Sequence, residues 1–448
     1  MKHEIGSLRA AIPLCHCGLW AAIPRMTFIK YPHRVILSFM DKYLLSVPTS
    51  FGLEGLAARE IRKLGYATER VEDGRVSFFG DARAVCRSNI WLRFAERLQI
   101  KLGDFSALTF TELFDQTKAL PWPELLPPDA AFPVNGHCLS SKLGSVPDCQ
   151  SIIKKAAVES MKHKWKTERF NETGALYRIS FNIIRDRVSI YVDTSGEGLH
   201  KRGYREQSAL TPIRETLAAA LVELSGWRPG KALWDPFCGS GTIVIEAAML
   251  AVNRAPGLNR GFASEGWPMP AGAPGGWQAG AMKRLFEEER AAARAAYEKA
   301  FAEMRVKASA GAAPTNAAIQ LAGSDLSRHC VQSARQNAAM AGVSPLVRFF
   351  QMDAKHMSPE YSRFPELGIQ FPERGCIVTN PPYGERHDDQ AAALDACREW
   401  APALGAFRGW GWCIISALDN FERELGRPAT KRRKLYNGRI KCQAYMYF

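Results

Sequence analysis

This 448-residue chain has no uninterrupted apolar run long enough to cross a bilayer, which takes about 20 residues. Its eleven cysteines stand singly, with no C-x-x-C pair and no matching histidine spacing. That pattern argues against a structural zinc site and points to reduced thiols in a cytoplasmic setting. Cys15-His16-Cys17 is the one dense group, and it lacks partners for tetrahedral coordination, so no metal is expected. The G-x-G-x-x-G spacing is absent, and no Gly-Lys-Ser/Thr closes a glycine-rich turn. The dinucleotide fingerprint and the P-loop are thereby excluded. Acidic residues are in the minority, 45 against 59 basic ones, for a formal net charge of +14 and a pI near 9.3. Such a balance suits a polyanionic partner. At 46% hydrophobic residues, the chain can fill several cores and exceeds one typical domain.

The most informative segment is Asn380-Pro381-Pro382-Tyr383, which follows the apolar, β-branched run Cys376-Ile377-Val378-Thr379. Proline cannot donate to a strand ladder, so the chain must leave the sheet there and expose Asn380 at the sheet's edge. The Asn380 side-chain oxygen and the Pro381 carbonyl can together grip the two hydrogens of a planar amino group. Tyr383 offers a flat face on which the ring bearing that amine can stack. An ordinary turn would explain Asn-Pro alone, but a second motif lies upstream. Leu233-Trp234-Asp235 reads as a strand, Pro236-Phe237-Cys238-Gly239-Ser240-Gly241 as a glycine-rich turn, and Thr242 onward as a helix. Glycines allow close approach of a ligand, and the new helix presents free N–H groups. Asp325 closes a strand beginning near Ile319, where it suits ribose hydroxyls, and Asp353 closes the strand from Val347, where it suits an adenine amino group. A helix from Cys330 to Ala341, capped at Gly342, separates the two.

The Asp-Pro-x-Cys-Gly-Ser-Gly-Thr form, with Asp193-Thr194-Ser195-Gly196 and Leu199-His200-Lys201-Arg202-Gly203-Tyr204-Arg205, resembles the THUMP-domain RNA guanine-N2 methyltransferases. It is most similar to the bacterial large-subunit (23S) ribosomal RNA family, and the resemblance runs from about Leu44 to Phe448. It implies an α/β fold: a class I, Rossmann-like, seven-stranded methyltransferase domain preceded by α+β ferredoxin-like and THUMP domains. It also implies S-adenosylmethionine as cofactor, held by Asp235, Pro236, Phe237, Cys238, Gly239, Ser240, Gly241, Asp325 and Asp353, with Asn380 at its edge. Asn380, Pro381, Pro382 and Tyr383 would hold the target base.

Four segments are expected. Residues 1–39 are basic and irregular, and read as an upstream extension with Met40 the working start. Residues 40–105 form the ferredoxin-like unit, with a helix from Leu53 to Leu64, a strand from Arg75 to Phe79 and a helix from Asp81 to Ile90. Residues 106–196 form the THUMP unit, with a strand from Val134 to Ser140 and a helix from Val146 to His163. Two strands then span Tyr177 to Val192 and turn at Asp186. Residues 197–448 form the methyltransferase, with an insertion near 255–315 whose Ala/Glu/Arg-rich helix, Ala281 to Val306, would lie beside the cofactor site. Tyr436-Asn437-Gly438-Arg439 signals a closing hairpin. Two basic clusters suit phosphates: Lys154, Lys155, Lys162 and Lys164 on the THUMP helix, and Lys431, Arg432, Arg433 in the C-terminal segment. Arg202 and Arg205 join them as candidates.

The expected activity is methyl transfer to guanine N2 in RNA, with 23S ribosomal RNA or a pre-ribosomal particle as partner. Asn-Pro-Pro-Tyr also serves adenine-N6 and protein-glutamine methyltransferases, since all three substrates present a planar amino group. A tRNA guanine or adenine target therefore stays open, as does a non-catalytic RNA-binding or ribosome assembly factor.

Overall fold

The computed structural model describes residues 42–205, 213–270, 277–309, 321–359, 373–382 and 387–448. The expected N-terminal extension with Cys15-His16-Cys17, and Tyr383 of the tetrad, lie outside them.

The first half is built on one sheet of seven strands: β1 (Tyr43–Pro48), β2 (Thr68–Glu72), β3 (Arg75–Gly80), β4 (Gln99–Ser106), β5 (Val134–Leu139), β6 (Arg178–Ile184) and β7 (Arg187–Asp193), in the order β2-β3-β1-β4-β7-β6-β5. The ferredoxin-like strands and the THUMP strands are thus joined edge to edge, by antiparallel pairing of β4 with β7 from Gln99↔Asp193 to Ser106↔Arg187. Local pattern fixes the helices. Asp81 caps α2 (Ala82–Trp91) by accepting from the Ala84 N–H at 2.7 Å. In α5 (Val146–Trp165), Cys149, Ile153, Ala156, Ala157 and Met161 are buried, the three-and-four spacing of a helix laid on a sheet. Helices α1 (Glu54–Lys63), α3 (Phe110–Lys118) and the short α4 (Trp122–Leu125) complete this half. Arg185 and Asp186, both at positive φ, turn β6 into β7 as expected.

The second half contains β8 (Ala232–Asp235), β11 (Leu321–Asp325), β12 (Val347–Gln351), β13 (Gly375–Thr379), β14 (Gly411–Ser416), β15 (Lys431–Asn437) and β16 (Ile440–Tyr447). A minimal pair, β9 (Met269–Pro270) with β10 (Trp277–Gln278), stands apart. The sheet order is β12-β11-β8-β13-β14-β16-β15. β8, β11, β12, β13 and β14 run parallel, and the last two strands form the expected hairpin. This is the doubly wound arrangement in which ligands bind at the carboxyl ends of the strands, where the order reverses about β8 and β13. Around the sheet lie α6 (Glu215–Leu224), α7 (Thr242–Ala251), α9 (Arg328–Met340), α10 (His387–Gly405) and α11 (Phe421–Leu425), while α8 (Ala281–Ser309) belongs to the insertion between β8 and β11.

Two expectations need correction. The insertion helix α8 does not stand beside the cofactor site; it docks on α2 of the first half. Glu289, nearly buried, pairs with Arg83 and Arg87 at 2.9 Å each, and the buried Phe286 stacks on Phe262. Arg202 does not face solvent either. It is 2% exposed and pairs with Glu246 of α7 at 3.3 Å, while Arg93 pairs with the same carboxylate at 3.2 Å. The Arg202 guanidinium also donates to the Arg93 carbonyl at 2.6 Å. A buried, ion-paired guanidinium cannot reach a phosphate. Arg202 is instead part of the joint between the two halves.

Candidate active site

The site is assembled by four neighbouring parallel strands, β12, β11, β8 and β13, at their carboxyl ends. β8 is buried along its length and ends at Asp235. The turn that follows needs left-handed backbone at two places, supplied by Gly239 (φ +50°) and Gly241 (φ +82°). A Cβ on Gly241 would also stand 2.9 Å from Ala334 and Phe349, so glycine there lets α7 start hard against its neighbours. The turn is stitched to β11: the Cys238 N–H donates to the Ser324 carbonyl at 2.9 Å, and the Gly239 N–H donates to Asp325 Oδ2 at 2.9 Å. Asn337 of α9 holds the Ser240 carbonyl at 2.9 Å.

Asp235 is almost completely buried. Its Oδ1 accepts from the Thr379 hydroxyl at 2.6 Å and from the Phe237 N–H at 3.1 Å. Burial pushes its carboxyl up to about 7, and those two donors oppose the rise while Asp325 adds to it. Asp325 Oδ1 accepts from the Ser327 N–H at 2.9 Å. Asp353 lies past the end of β12, capping a short turn at Ala354–His356. Burial would raise its carboxyl, but hydrogen bonds from Lys355 hold it below the ordinary range, with Lys355 Nζ at 3.0 Å.

β13, buried throughout, delivers Thr379 and then Asn380 at the same edge. The Asn380 side-chain oxygen is buried and has no hydrogen-bond partner among the described residues. Pro381 is buried and Pro382 exposed. Both border a crevice walled by Phe237, Trp400, Ser416 and Phe421. So Asp235, the 236–241 turn, Asp325, Asp353 and Asn380 to Pro382 converge on one rim.

The basic candidates are dispersed. On α5, Lys154 pairs with Glu172 at 2.7 Å, and Lys162 with Glu159 and Glu168 at 3.2 and 3.0 Å. Lys155 and Lys164 are exposed, and among the described residues neither has an ion pair. Lys431, Arg432, Arg433 and Lys434 form most of the edge strand β15. There Arg432 pairs with Glu422 at 2.7 Å, and Arg433 donates to the Gly52 carbonyl at 3.1 Å. Arg205, expected as a phosphate contact, turns inward: its guanidinium bonds the Thr242 hydroxyl and the Ile213 carbonyl and pairs with Glu215 at 3.5 Å. It braces the start of α7. Thr379, Ser324, Asn337 and Glu246 escaped the sequence reading. A threonine ending an apolar strand carries no mark of its own until the parallel register sets it beside an acid.

Comparison with known proteins agrees with this fold. A family model described as "RMKL-like, methyltransferase domain" matches residues 202–446. An RlmL ferredoxin-like domain matches residues 45–99 and a THUMP domain residues 107–193. YpsC of Bacillus subtilis (strain 168), named provisionally as an RNA methyltransferase, is 41% identical over 411 residues, 91% of this chain and 97% of its own length. The crystal structure of a Listeria monocytogenes protein described as a predicted N6-adenine-specific DNA methylase is similar at TM-score 0.77 and 38% identity, covering 91% of this chain and 97% of that one. SMU.472, described provisionally as a methyltransferase and solved with S-adenosylhomocysteine, is similar at TM-score 0.77 and 33% identity, covering 91% and 98%. With the methyltransferase-domain model matching more than half of this chain, the chain belongs to the RMKL-like methyltransferase family, and it carries ferredoxin-like and THUMP domains ahead of its class I methyltransferase fold.

Proposed function

We propose that this protein methylates the exocyclic N2 amine of a guanine in structured RNA, with large-subunit ribosomal RNA as its substrate and S-adenosylmethionine as its methyl donor. The observation that carries the reading is the buried oxygen of Asn380, unpartnered among the described residues, at the strand end beside Asp235. An orphaned buried acceptor costs about 1–3 kcal/mol, and a bound amino group removes that cost. The RNA assignment rests on the THUMP domain, the basic composition and the name of the Bacillus relative. The choice of guanine rests on family resemblance.

The residues present fit the cofactor. Asp235 is an acid at the end of β8, the 239–241 turn has the conformation that lets a ligand approach, and Asp325 stands at the end of the next strand. S-adenosylmethionine, when bound, supplies an electrophilic methyl group on a sulfonium. The chain's own contribution is placement and electrostatics. The lone pair of the guanine amine is delocalised into the ring. Asn380 Oδ1 and the Pro381 carbonyl accept its two N–H bonds, raise electron density on nitrogen and aim the lone pair. No strong base is needed before attack, because the extra proton leaves the methylated amine afterwards. Extruding the base from a stack costs a few kcal/mol, offset by phosphate contacts of Lys155, Lys164 and the β15 cluster.

The test is nucleoside mass spectrometry of ribosomal RNA from a strain lacking the protein. Loss of N2-methylguanosine at one position of the large-subunit RNA is expected. Loss of N6-methyladenosine instead would replace guanine by adenine, the base in the description of the Listeria relative. A change confined to transfer RNA would replace the substrate.

A further inference from the structure

Thr379 is the last residue of β13 and is fully buried, immediately before Asn380. β13 runs parallel to β8 with Ile377 opposite Trp234, so the two strands bring Thr379 and Asp235 side by side at the carboxyl edge. Both hydrogen bonds to Asp235, from the Thr379 hydroxyl at 2.6 Å and the Phe237 N–H at 3.1 Å, fall on Oδ1. One carboxylate oxygen therefore joins the strand that carries Asn380 to the turn that receives the cofactor. Valine would suit a buried strand end as well as threonine does. The hydroxyl is the chemical difference, since it is a donor that favours the ionised acid.

We propose that Thr379 is a positioning residue whose hydroxyl ties the Asp235 carboxylate to the Asn380 strand end, so that one hydrogen bond sets both the charge of the cofactor turn and the aim of the base-binding amide. The second half of this statement rests on Asn380 as the acceptor of the target amine; the first half does not.

The titratable groups facing Asp235 are Asp325 at the end of β11 and Cys238 in the turn. Among the described residues no lysine, arginine or histidine pairs with it. Burial leads in raising the Asp235 carboxyl to about 7, and the Thr379 hydroxyl is the first of the two groups that oppose it. S-adenosylhomocysteine carries an ammonium group, and a cation near Asp235 favours the ionised acid, so affinity should rise with pH through the carboxyl's titration. Without the hydroxyl, that titration moves to higher pH.

Titration calorimetry of S-adenosylhomocysteine with the full chain, over a pH series from about 6 to about 9, reads this directly. For Thr379→Val, the midpoint of the affinity profile should move up by about one unit, giving about tenfold weaker binding below neutrality and convergence with wild type at high pH. Thr379→Ser keeps the hydroxyl and should keep the wild-type profile. Equal weakening at every pH, or no shift, overturns the electrostatic half. Thermal unfolding reports whether the valine variant is folded, and Thr379→Ala carries the same expectation in its place. With saturating cofactor at the high-pH end, Thr379→Val should still turn over RNA at least tenfold more slowly than wild type, an order-of-magnitude expectation for a misaimed group. Wild-type kcat there overturns the positioning half. Asn380→Ala separates the two readings. If it methylates normally, the amine-acceptor role fails, whereas the pH shift of Thr379→Val stands or falls by itself.

Discussion

A buried acceptor without a donor is a standing cost of about 1–3 kcal/mol, and Asn380 Oδ1 is such an acceptor among the described residues. Its loss should therefore not weaken the free protein. Asn380→Ala is expected to leave the melting temperature unchanged or slightly raised, to leave S-adenosylhomocysteine affinity nearly intact, and to abolish methyl transfer. A fall in stability equal to that of an ordinary buried polar deletion would mean that the amide serves the fold and not a substrate. Asp235 gives the complementary case. Its folded carboxyl lies near 7, above the unfolded value near 3.9, so the folded state holds more protons than the unfolded state between those limits. Stability from this group is present at low pH and is lost as pH rises through that window. Asp235→Asn should thus raise stability at pH above about 8 by on the order of 4 kcal/mol and change it little near pH 4. Equal effects at both pH values in urea titrations would contradict the burial account.

At the scale of elements, what could be read in advance tracks how local the cause is. β13 is a buried apolar run stopped by two prolines, and β6 and β7 alternate about a tight turn, so both are written in consecutive residues. β2 reads Thr-Glu-Arg-Val-Glu and is mostly exposed. It exists because β3 pairs with it, and nothing in its composition announces a strand. β4 was missed for a similar reason. Its register shifts between Lys101 and Gly103, and its two partners, β1 and β7, lie far apart in sequence. The acids at strand ends were legible because each closes an apolar run before a turn. The neighbours that hydrogen-bond them, Thr379 for Asp235 and Gly239 for Asp325, emerge only from strand order. The helix α8 was legible by propensity, but its docking was not. Glu289, poised between Arg83 and Arg87, belongs to a contact with α2 that spans about half the chain. Glu289→Ala should cost about 1 kcal/mol, since both arginines are partly exposed and can rehydrate. A loss of several kcal/mol in denaturant melts would mean the two halves hang on this contact.

At the scale of the whole molecule the halves are joined by charge that water does not reach. Glu246 faces both Arg93 and Arg202, with the Tyr204 hydroxyl at 3.3 Å, and Glu60 receives the backbone N–H groups of Arg93 and Phe94. Removing one member strands the others, which typically costs 3–5 kcal/mol, so Glu246→Ala should lower stability by about that amount and broaden or split the unfolding transition. A single sharp transition with less than about 1 kcal/mol lost would show that the network is dispensable. Because this joint consumes Arg202, and Arg205 braces α7, the phosphate-contact candidates that remain from the sequence are those on α5 and β15. Within α5 the four lysines are not equal: Lys154 and Lys162 already hold carboxylates, while Lys155 and Lys164 are exposed and have no ion pair among the described residues. A lysine paired to a glutamate releases fewer counterions when a phosphate replaces its partner. Neutralising Lys155 and Lys164 together should therefore flatten the log–log salt dependence of RNA binding by roughly 0.7–0.9 per contact. Neutralising Lys154 and Lys162 should flatten it less. Methylation at saturating RNA should survive both changes, since none of these side chains touches the rim where Asn380 and Asp235 meet. If the Lys155 and Lys164 double variant binds with the wild-type slope, α5 is a solvated face, and the phosphates run along β15 past Lys431 and Arg433.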